Sequence, residues 1–493
     1  VAWNGLDVSN YMKGQSTYST FIDDNYVDPS SVNITFPEQK RNLIYIFLES
    51  MEMTYADKEN GGAFKQNVIP ELTQLAQENE DFSGKSNKLN GGYSMPGTTW
   101  TMGAMFGQTS GLPLNISIDG NSMDTQDSFF PGITTLGDIL QNEGYSQTLL
   151  IGSEATFGGR KLYFTDHGQY DIMDYNYAQD NGLIPEDYKV WWGYEDEKLF
   201  GFAKEKLLEL SQQDNPFNLT MLTVDTHFED GYVCDICPDT FGDNQYANVM
   251  ACSSRQVKEF IDWVQQQDFA ADTTIVISGD HQTMDSDFCE DVDKDYERRV
   301  YTTYINADAE KQTEKKRKYT IFDDFPTTLS AMGAEIEGDR LGLGTNLFSA
   351  KETLSEKEGV TAEYNKMLKK SKLMEKLSDI DEEEYRRKEE EKVSPTADVK
   401  IKKTGKDNQV LIKVENIEHL KKGLQSITAA VWKNEDQSDL QWVNLAVFEN
   451  GICKTKVDLS NYEPMQGEYN VHIYIIDGKG DAHNVAGTTF EIK

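Results

Sequence analysis

The run Asn42-Leu43-Ile44-Tyr45-Ile46-Phe47-Leu48, flanked by Arg41 and Glu49, decides how this chain folds. Uninterrupted apolar residues between charged ones suit a strand buried on both faces, the environment of a parallel sheet. Comparable strand signals recur at Gln147–Ile151, Phe217–Val224, Thr273–Ser278 and Val300–Ile305. Between them lie segments of helical spacing: Val68–Asn79, Thr134–Asn142, Glu197–Gln212, Gln256–Gln267 and Tyr319–Ser330. In the first, Ile69, Leu72, Leu75 and Ala76 share one face. Strands alternating with helices predict an α/β layer fold with a mostly parallel central sheet. In such a sheet, reactive groups gather at the carboxyl ends of the strands.

The character changes on either side of this core. Residues 1–40 form a polar lead-in, and 41–350 carry the alternating pattern. Residues 351–393 are rich in helix formers and end in the charge run DIDEEEYRRKEEEK, which reads as a solvated helical connector. Val393-Ser394-Pro395 breaks it. From 394 to 493 short alternating strands follow, with turns at Glu449-Asn450-Gly451 and Asp477-Gly478-Lys479-Gly480. About 100 residues of this kind predict a small β-sandwich.

With 84 acidic against 47 basic side chains, the net charge is −37 over 493 residues. Nucleic acid is a poor partner for such a chain, because neutralising phosphates takes clustered Lys and Arg. An electrostatic dock on anionic lipid is equally disfavoured. No apolar run reaches the roughly 18 residues needed to span a bilayer. The sequence opens at Val1 without an initiator Met or a signal-peptide pattern, and reads as a piece of a longer protein. Five cysteines include one CxxC pair, Cys234 and Cys237, in a Gly/Asp/Pro-rich loop. A zinc site would want a second close pair of ligands. One or two disulfides among Cys234, Cys237, Cys252 and Cys289, or free buried thiols, are the readings left open.

Three strand ends carry chemistry-bearing residues: Glu49, then Asp225-Thr226-His227, then Asp280-His281. Carboxylates and imidazole brought together suit one divalent cation with mixed O/N preference, such as Mn²⁺ or Zn²⁺. A fourth element is the turn Ser94-Met95-Pro96-Gly97-Thr98-Thr99-Trp100-Thr101, which feeds the run MGAMFGQ. A hydroxyl where a helix begins sits among unpaired N–H groups and the positive dipole end. Beside a cation, such a Thr makes a nucleophile.

These residues carry a resemblance. The stretches NLIYIFLESMEMTY, SMPGTTWTMGAMFGQTSGLPL, GGRKLYF, TVDTHFEDG, VISGDHQTM, FDDFPTTLSAMG and GLGTNLFS resemble the phosphoglycerol transferases. That family is the branch of the alkaline phosphatase/sulfatase superfamily that includes lipoteichoic acid synthase and the glucan phosphoglycerol transferases. The resemblance spans about Asp28 to Ser349. It implies an alkaline phosphatase/sulfatase-like three-layer fold. It further implies one Mn²⁺-type cation, with Mg²⁺ or Zn²⁺ as alternatives, held by Glu49, Asp280, His281 and the catalytic Thr. By this match the nucleophile is Thr98, with Thr99 as the alternative. His227 would contact the phosphate and shuttle protons, and Arg160 and Trp100 would bind substrate. Gly158 stands where the lipoteichoic acid synthases place a Trp, so the glycerol pocket departs from that subfamily.

The implied reaction moves glycerol phosphate from phosphatidylglycerol to a glycan or teichoic-type acceptor through a phospho-threonine. A phosphoethanolamine donor, a phosphodiesterase using water, and a non-catalytic surface binder are the alternatives. No Cys or Ser stands in the C/S-x-P-x-R motif that a formylglycine sulfatase requires. Two-metal relatives need more Asp/His ligands, and only six His are present. The segments ITAAVWKNEDQSDLQWVNL and DLSNYEPMQGEYNVHIYIID resemble the GBS Bsp-like repeat, which implies contact with a Gram-positive cell wall. Trp432 and Trp442 are its candidates for a carbohydrate platform, with core packing the alternative expected for at least one of them. The expected setting is the extracellular face of the cell membrane, reached through transmembrane helices outside this sequence.

Overall fold

The computed structural model describes residues 17–420, 422–447 and 452–493. Residues 1–16 of the lead-in and the expected turn at Glu449-Asn450-Gly451 lie outside them. By its internal contacts the chain divides into two units, at Ile380/Asp381.

The first unit is organised on a seven-stranded sheet. Its strands are β1 (Asn42–Leu48), β2 (Gly91–Gly92), β3 (Ser146–Ile151), β4 (Asp171–Met173), β5 (Phe217–Leu222), β6 (Thr273–Gly279) and β7 (Val300–Ile305). They lie in the order β2-β7-β6-β1-β5-β3-β4. β6, β1, β5, β3 and β4 run parallel, whereas β7 and β2 are antiparallel additions at one edge. β1 is central, and Leu43 to Leu48 are all at most 1% exposed, as an apolar run without alternation requires.

Helices cover both faces. Ile44, Ile46 and Leu48 of β1 share a core with Leu72 and Leu75 of α1 (Pro70–Glu78). The same core takes in Leu199 and Ala203, and Phe260 and Ile261, of two later helices. On the opposite face Tyr45 Oη donates to Gln108 Oε1 (2.7 Å) on α2 (Thr101–Ser110). Further along come α3 (Leu136–Asn142), α4 (Arg160–Asp166), α5 (Asp196–Leu210), α6 (Gln245–Gln265) and α7 (Asp324–Ala331). The three-layer α/β fold expected from the sequence is therefore present.

The differences are local. α6 begins at Gln245, well before the expected Gln256, because Asn244 caps it by accepting from Ala247 N–H. The segment Tyr319–Ser330 starts as a 3₁₀ turn, with Thr320 and Asp323 forming a capping box, before α7. The short strand β4 carried no clear sequence signal. The connector forms four helices: α8 (Leu354–Glu358), α9 (Val360–Met367), α10 (Lys372–Ser378) and α11 (Glu382–Lys392). Among the described residues no helix is long and apolar enough to cross a membrane.

The second unit contains two four-stranded antiparallel sheets. One orders β8 (Thr396–Lys403), β9 (Gln409–Glu418), β13 (Cys453–Asp458) and β12 (Ala446–Val447). The other orders β11 (Gln441–Asn444), β10 (Leu424–Trp432), β14 (Gly467–Asp477) and β15 (Ala482–Ile492). Val410, Ile412 and Val414 of one sheet share a core with Ile427, Val431, Val471 and Ile473 of the other, which makes a sandwich. Trp432 is buried and packs edge-on to His472, whereas Trp442 is 58% exposed beside Tyr474. Of the two expected platform residues, one belongs to the core.

Candidate active site

The register of β1 against β6 pairs Leu48 with Gly279, so Glu49 and Asp280 emerge side by side at the carboxyl edge. Asp280 N–H donates to Leu48 O at 3.0 Å. Asp280 Oδ1 accepts from Ser50 N–H (2.8 Å) and His281 N–H (2.6 Å), which leaves Oδ2 free to point inward. Glu49 is set from the β5 side: its N–H donates to Thr223 Oγ1 and its carbonyl accepts from Thr226 Oγ1. Gln108 of α2 donates to Gly279 O and ties the helix to the same strand end.

One donor atom from each of Glu49, Asp280 and His281 lies within 4.8 Å of the others, and all three residues are buried. His281 Nε2 is 3.3 Å from Glu49 Oε1 and 3.5 Å from Asp280 Oδ2. His281 Nδ1 lies 2.7 Å from Gln282 O; a carbonyl only accepts, so Nδ1 carries a proton and Nε2 is the nitrogen that faces the carboxylates. Asp280 Oδ2 and His281 Nε2 are both buried without a hydrogen-bond partner. Orphaned groups of this kind are costly, and a divalent cation among them satisfies both. The O/O/N donor set fits Mn²⁺ or Zn²⁺.

The electrostatics agree with that fit. Burial pushes the Asp280 carboxyl well up, and the Glu49 charge pushes it further. Burial opposes the Glu49 charge too, yet His281 beside it holds Glu49 well below the usual carboxylate range. Burial would lower His281, but Asp280 and Glu49 raise it to about 10. Without a cation, a proton on His281 balances the carboxylates below about pH 10. Cation binding should therefore release at least one proton at pH 7, and affinity should rise about tenfold per pH unit for each proton displaced. Calorimetry in two buffers of different ionisation enthalpy measures this. Zero proton release would contradict it.

Thr101 is the hydroxyl that the structure brings to this cluster. Its Oγ1 donates to Glu49 Oε2 at 3.0 Å, and it is the first residue of α2. Trp100, at the N-cap, offers no side-chain cap, so the first N–H groups of the helix stay open beside the hydroxyl. Thr98, the nucleophile implied by the resemblance, makes its hydrogen bonds elsewhere in this structure. Thr98 is 0% exposed, its Oγ1 lies 2.8 Å from both Met95 N and Met95 O, and none of its hydrogen bonds reaches the cluster. The physical reason is the turn, which folds the first Thr back onto its own backbone. Thr99 is exposed. Trp100 is half-buried, lies close over Gly103 and Gly120, and has no partner for its buried Nε1.

Arg160 and His227 complete the surroundings. Gly158 and Gly159 both adopt positive φ (68° and 79°), which turns the chain sharply into α4 and buries Arg160 at its start. Burial lowers the Arg160 guanidinium to about 10, while Glu49, Asp174 and Asp280 pull it back up, so it faces the same carboxylates. Its Nη2 donates to Glu154 O (2.7 Å), and its buried Nε has no partner. His227 is half-buried. Its Nδ1 lies 2.6 Å from Phe228 O, so Nε2 is left as the free nitrogen. Asp225 stands apart in role. It accepts from Asp196 N–H, while Asp196 accepts from Val224 and Asp225 N–H, a reciprocal brace that shapes the β5 end.

Sequence reasoning missed the thiol cluster. Cys252 of α6 joins the CxxC pair: Cys234 Sγ is 3.4 Å from Cys237 Sγ and 3.8 Å from Cys252 Sγ. All five cysteines are free thiols here. The early start of α6 places Cys252 on that helix.

The Sulfatase family model matches residues 41–334, and the GBS Bsp-like repeat model matches residues 399–490. Phosphoglycerol transferase I of Escherichia coli strain 55989 / EAEC is 32% identical over 329 residues, 66% of this chain and 41% of that protein. The chain thus spans less than half the length of the curated relatives it matches. Among solved structures, the lipoteichoic acid synthase LtaP from Listeria monocytogenes is similar at 17% identity and a TM-score of 0.49, covering 67% of this chain and 81% of that one. The zinc complex of the C-terminal periplasmic domain of EcEptC from Escherichia coli is similar at 14% identity and a TM-score of 0.43, covering 66% and 92%. Because the first family model takes in more than half of the residues, the chain belongs to the Sulfatase family, within the alkaline phosphatase superfamily of enzymes.

Proposed function

We propose that this chain is a phosphoglycerol transferase that takes glycerol phosphate from phosphatidylglycerol and passes it to a glycan or teichoic-type hydroxyl. The observation that carries the reading is the Thr101–Glu49 hydrogen bond, which sets a hydroxyl at an open helix end against the orphaned atoms of Asp280 and His281. The relative's name, phosphoglycerol transferase I, supports the choice of group transferred. A divalent cation held by Glu49, Asp280 and His281 with Thr101 (Mn²⁺ by resemblance, Mg²⁺ or Zn²⁺ otherwise) would polarise the phosphate and ease ionisation of the hydroxyl.

The chain's own groups supply the rest. Thr101 Oγ1 attacks phosphorus, the bond from phosphorus to the diacylglycerol oxygen breaks, and the threonine proton passes by way of Glu49 to that oxygen, so that diacylglycerol leaves as the neutral alcohol. The open N–H groups of α2 and the Arg160 guanidinium stabilise the charge that builds on the phosphoryl oxygens. His227 Nε2 takes the proton of the acceptor hydroxyl in the second step. Because the donor is a lipid, the reaction runs at a bilayer surface, where a charge of −37 gives no electrostatic hold. We propose the extracellular face of a Gram-positive membrane as that surface, and the cell wall as what the repeat domain contacts.

Purified protein with Mn²⁺ should release diacylglycerol from a fluorescent phosphatidylglycerol, and no release would overturn the reading. Arg160→Lys should lower kcat/KM for this donor by about 10- to 100-fold, because a point charge cannot replace the planar fork. Steady-state kinetics with an unchanged value would remove Arg160 from the site.

A further inference from the structure

A tight loop in front of α5 presents two tryptophans beside the proposed reacting groups. Val190 and Gly193 close it by reciprocal backbone hydrogen bonds of 2.8 and 3.0 Å, and Tyr194 N–H donates to Gly152 O just beyond β3. A Cβ on Gly193 would stand 1.9 Å from Gly152 O, so only glycine lets the loop rest there. The pinned loop holds Trp191 at a positive φ of 53° and leaves Trp192 46% exposed. The Trp192 ring lies 4.9 Å from the His227 ring and 6.4 Å from that of Phe157, itself 55% exposed. The Arg160 guanidinium lies 5.6 Å from the Phe157 ring centre. Two water-facing aromatic rings thus border the imidazole and the guanidinium of the site, on a loop that is braced rather than loose.

Rigid exposed aromatics mark a surface with an occupant. Polar and charged side chains lie nearby in the chain: Glu154, nearly half exposed, pairs with the exposed Lys189 at 3.7 Å, and Glu229 and Asp230 follow Phe228 at the surface. A nucleic acid would find no basic track there. A neutral sugar ring fits both halves of the surface. Its axial C–H groups lie against the electron-rich ring faces, and its hydroxyls meet the polar neighbours. We propose that Trp192 and Phe157 form a shelf that seats a sugar ring of the acceptor and aims its hydroxyl at His227. The proposal rests on the transferase reading. In the step it serves, the sugar oxygen bonds to phosphorus and the phosphorus–Thr101 Oγ1 bond breaks. The sugar's proton passes through His227 Nε2 back to Thr101 Oγ1. The shelf also supplies an aromatic ring near Arg160 where Gly158 supplies none.

The test uses the full chain with Mn²⁺, phosphatidylglycerol in detergent micelles and laminaritriose as the sugar probe. The readout is the ratio of phosphoglycerol on the trisaccharide to free glycerol phosphate. Trp192→Ala should lower that ratio at least tenfold, and Trp192→Phe should restore most of it. An unchanged ratio in Trp192→Ala, including the case where both products fall in parallel, would overturn the shelf and place Trp192 on the donor side. Saturation-transfer NMR reads the shelf without turnover. The wild-type protein should saturate laminaritriose protons and Trp192→Ala should not; absence of the signal in the wild-type protein overturns the proposal. A blue shift of tryptophan fluorescence with phosphatidylglycerol vesicles, lost in Trp192→Phe, would assign the rings to lipid instead. A wild-type protein that binds the trisaccharide but releases no diacylglycerol would sink the transferase reading and leave the shelf standing.

Discussion

Thr101→Ala should abolish diacylglycerol release, by at least about 10⁴-fold, the scale on which removing a covalent nucleophile acts. Thr101 Oγ1 is the hydroxyl hydrogen-bonded to Glu49, and it stands where the N–H groups of α2 have no acceptors. Water cannot take its place without giving up the position fixed by the helix. Thr101→Ser should keep part of the rate, since it retains the oxygen and loses only the methyl group that orients it. The neighbouring threonine gives the contrast. Thr98→Val removes the bonds to Met95 within the turn, so it should lower melting temperature by the equivalent of about 1–3 kcal/mol. Its effect on the donor reaction should follow that destabilisation and be far smaller than that of Thr101→Ala. Rates and melts measured on the same preparations separate the two residues. Full activity in Thr101→Ala would return the assignment to Thr98.

Asp280→Asn should pull stability and activity in opposite directions. Asn retains an Oδ1 that can accept from Ser50 and His281 N–H, so the strand end keeps its shape. What it loses is the inward charge of Oδ2. That charge is costly in the metal-free protein, because burial and Glu49 push the carboxyl up. A carboxyl raised in the folded state binds its proton more tightly than in the unfolded chain. Stability is then lost as pH rises through the interval above the ordinary aspartate value. Removing the group removes that loss, so metal-free Asp280→Asn should melt no lower than the wild-type protein at pH 7, and higher as pH rises. With cation the order reverses. Saturating the wild-type site at about 100 times Kd adds about 2.7 kcal/mol, and the variant should forfeit that gain together with its activity. Thermal melts with and without Mn²⁺ check both signs. A variant that is still stabilised by the cation would remove Asp280 from the ligand set.

Much of this site was legible in the sequence for one reason. A parallel sheet buries its strands completely, so apolar runs such as NLIYIFL mark their own ends, and Glu49 and Asp280-His281 stand at two of them. Register then follows, because β1 and β6 are neighbours of matched length. Turn geometry was not legible in the same way. Thr98, Thr99 and Thr101 differ only in backbone direction around Gly97, and no periodicity reports which hydroxyl faces the carboxylates. The useful signal is that Thr101 opens the apolar helical run MGAMFGQ, whereas Thr98 lies inside the turn that precedes it. The pairing of Trp192 with His227 was hidden for a different reason: it depends on Gly193 resting on Gly152, a contact between distant loops. The grouping of Cys252 with the CxxC pair was not legible because it depends on the loop at Cys234 folding against α6.

The central claim is that Thr101 carries the phosphoglycerol between donor and acceptor. Rapid acid quenching of protein mixed with phosphatidylglycerol and Mn²⁺, without acceptor, followed by peptide mass spectrometry, tests it directly. The account predicts a glycerophosphoryl group on Thr101, absent in Thr101→Ala and present in Thr98→Val. The same modification on Thr98 or Thr99, or turnover with no modified threonine at all, would contradict it.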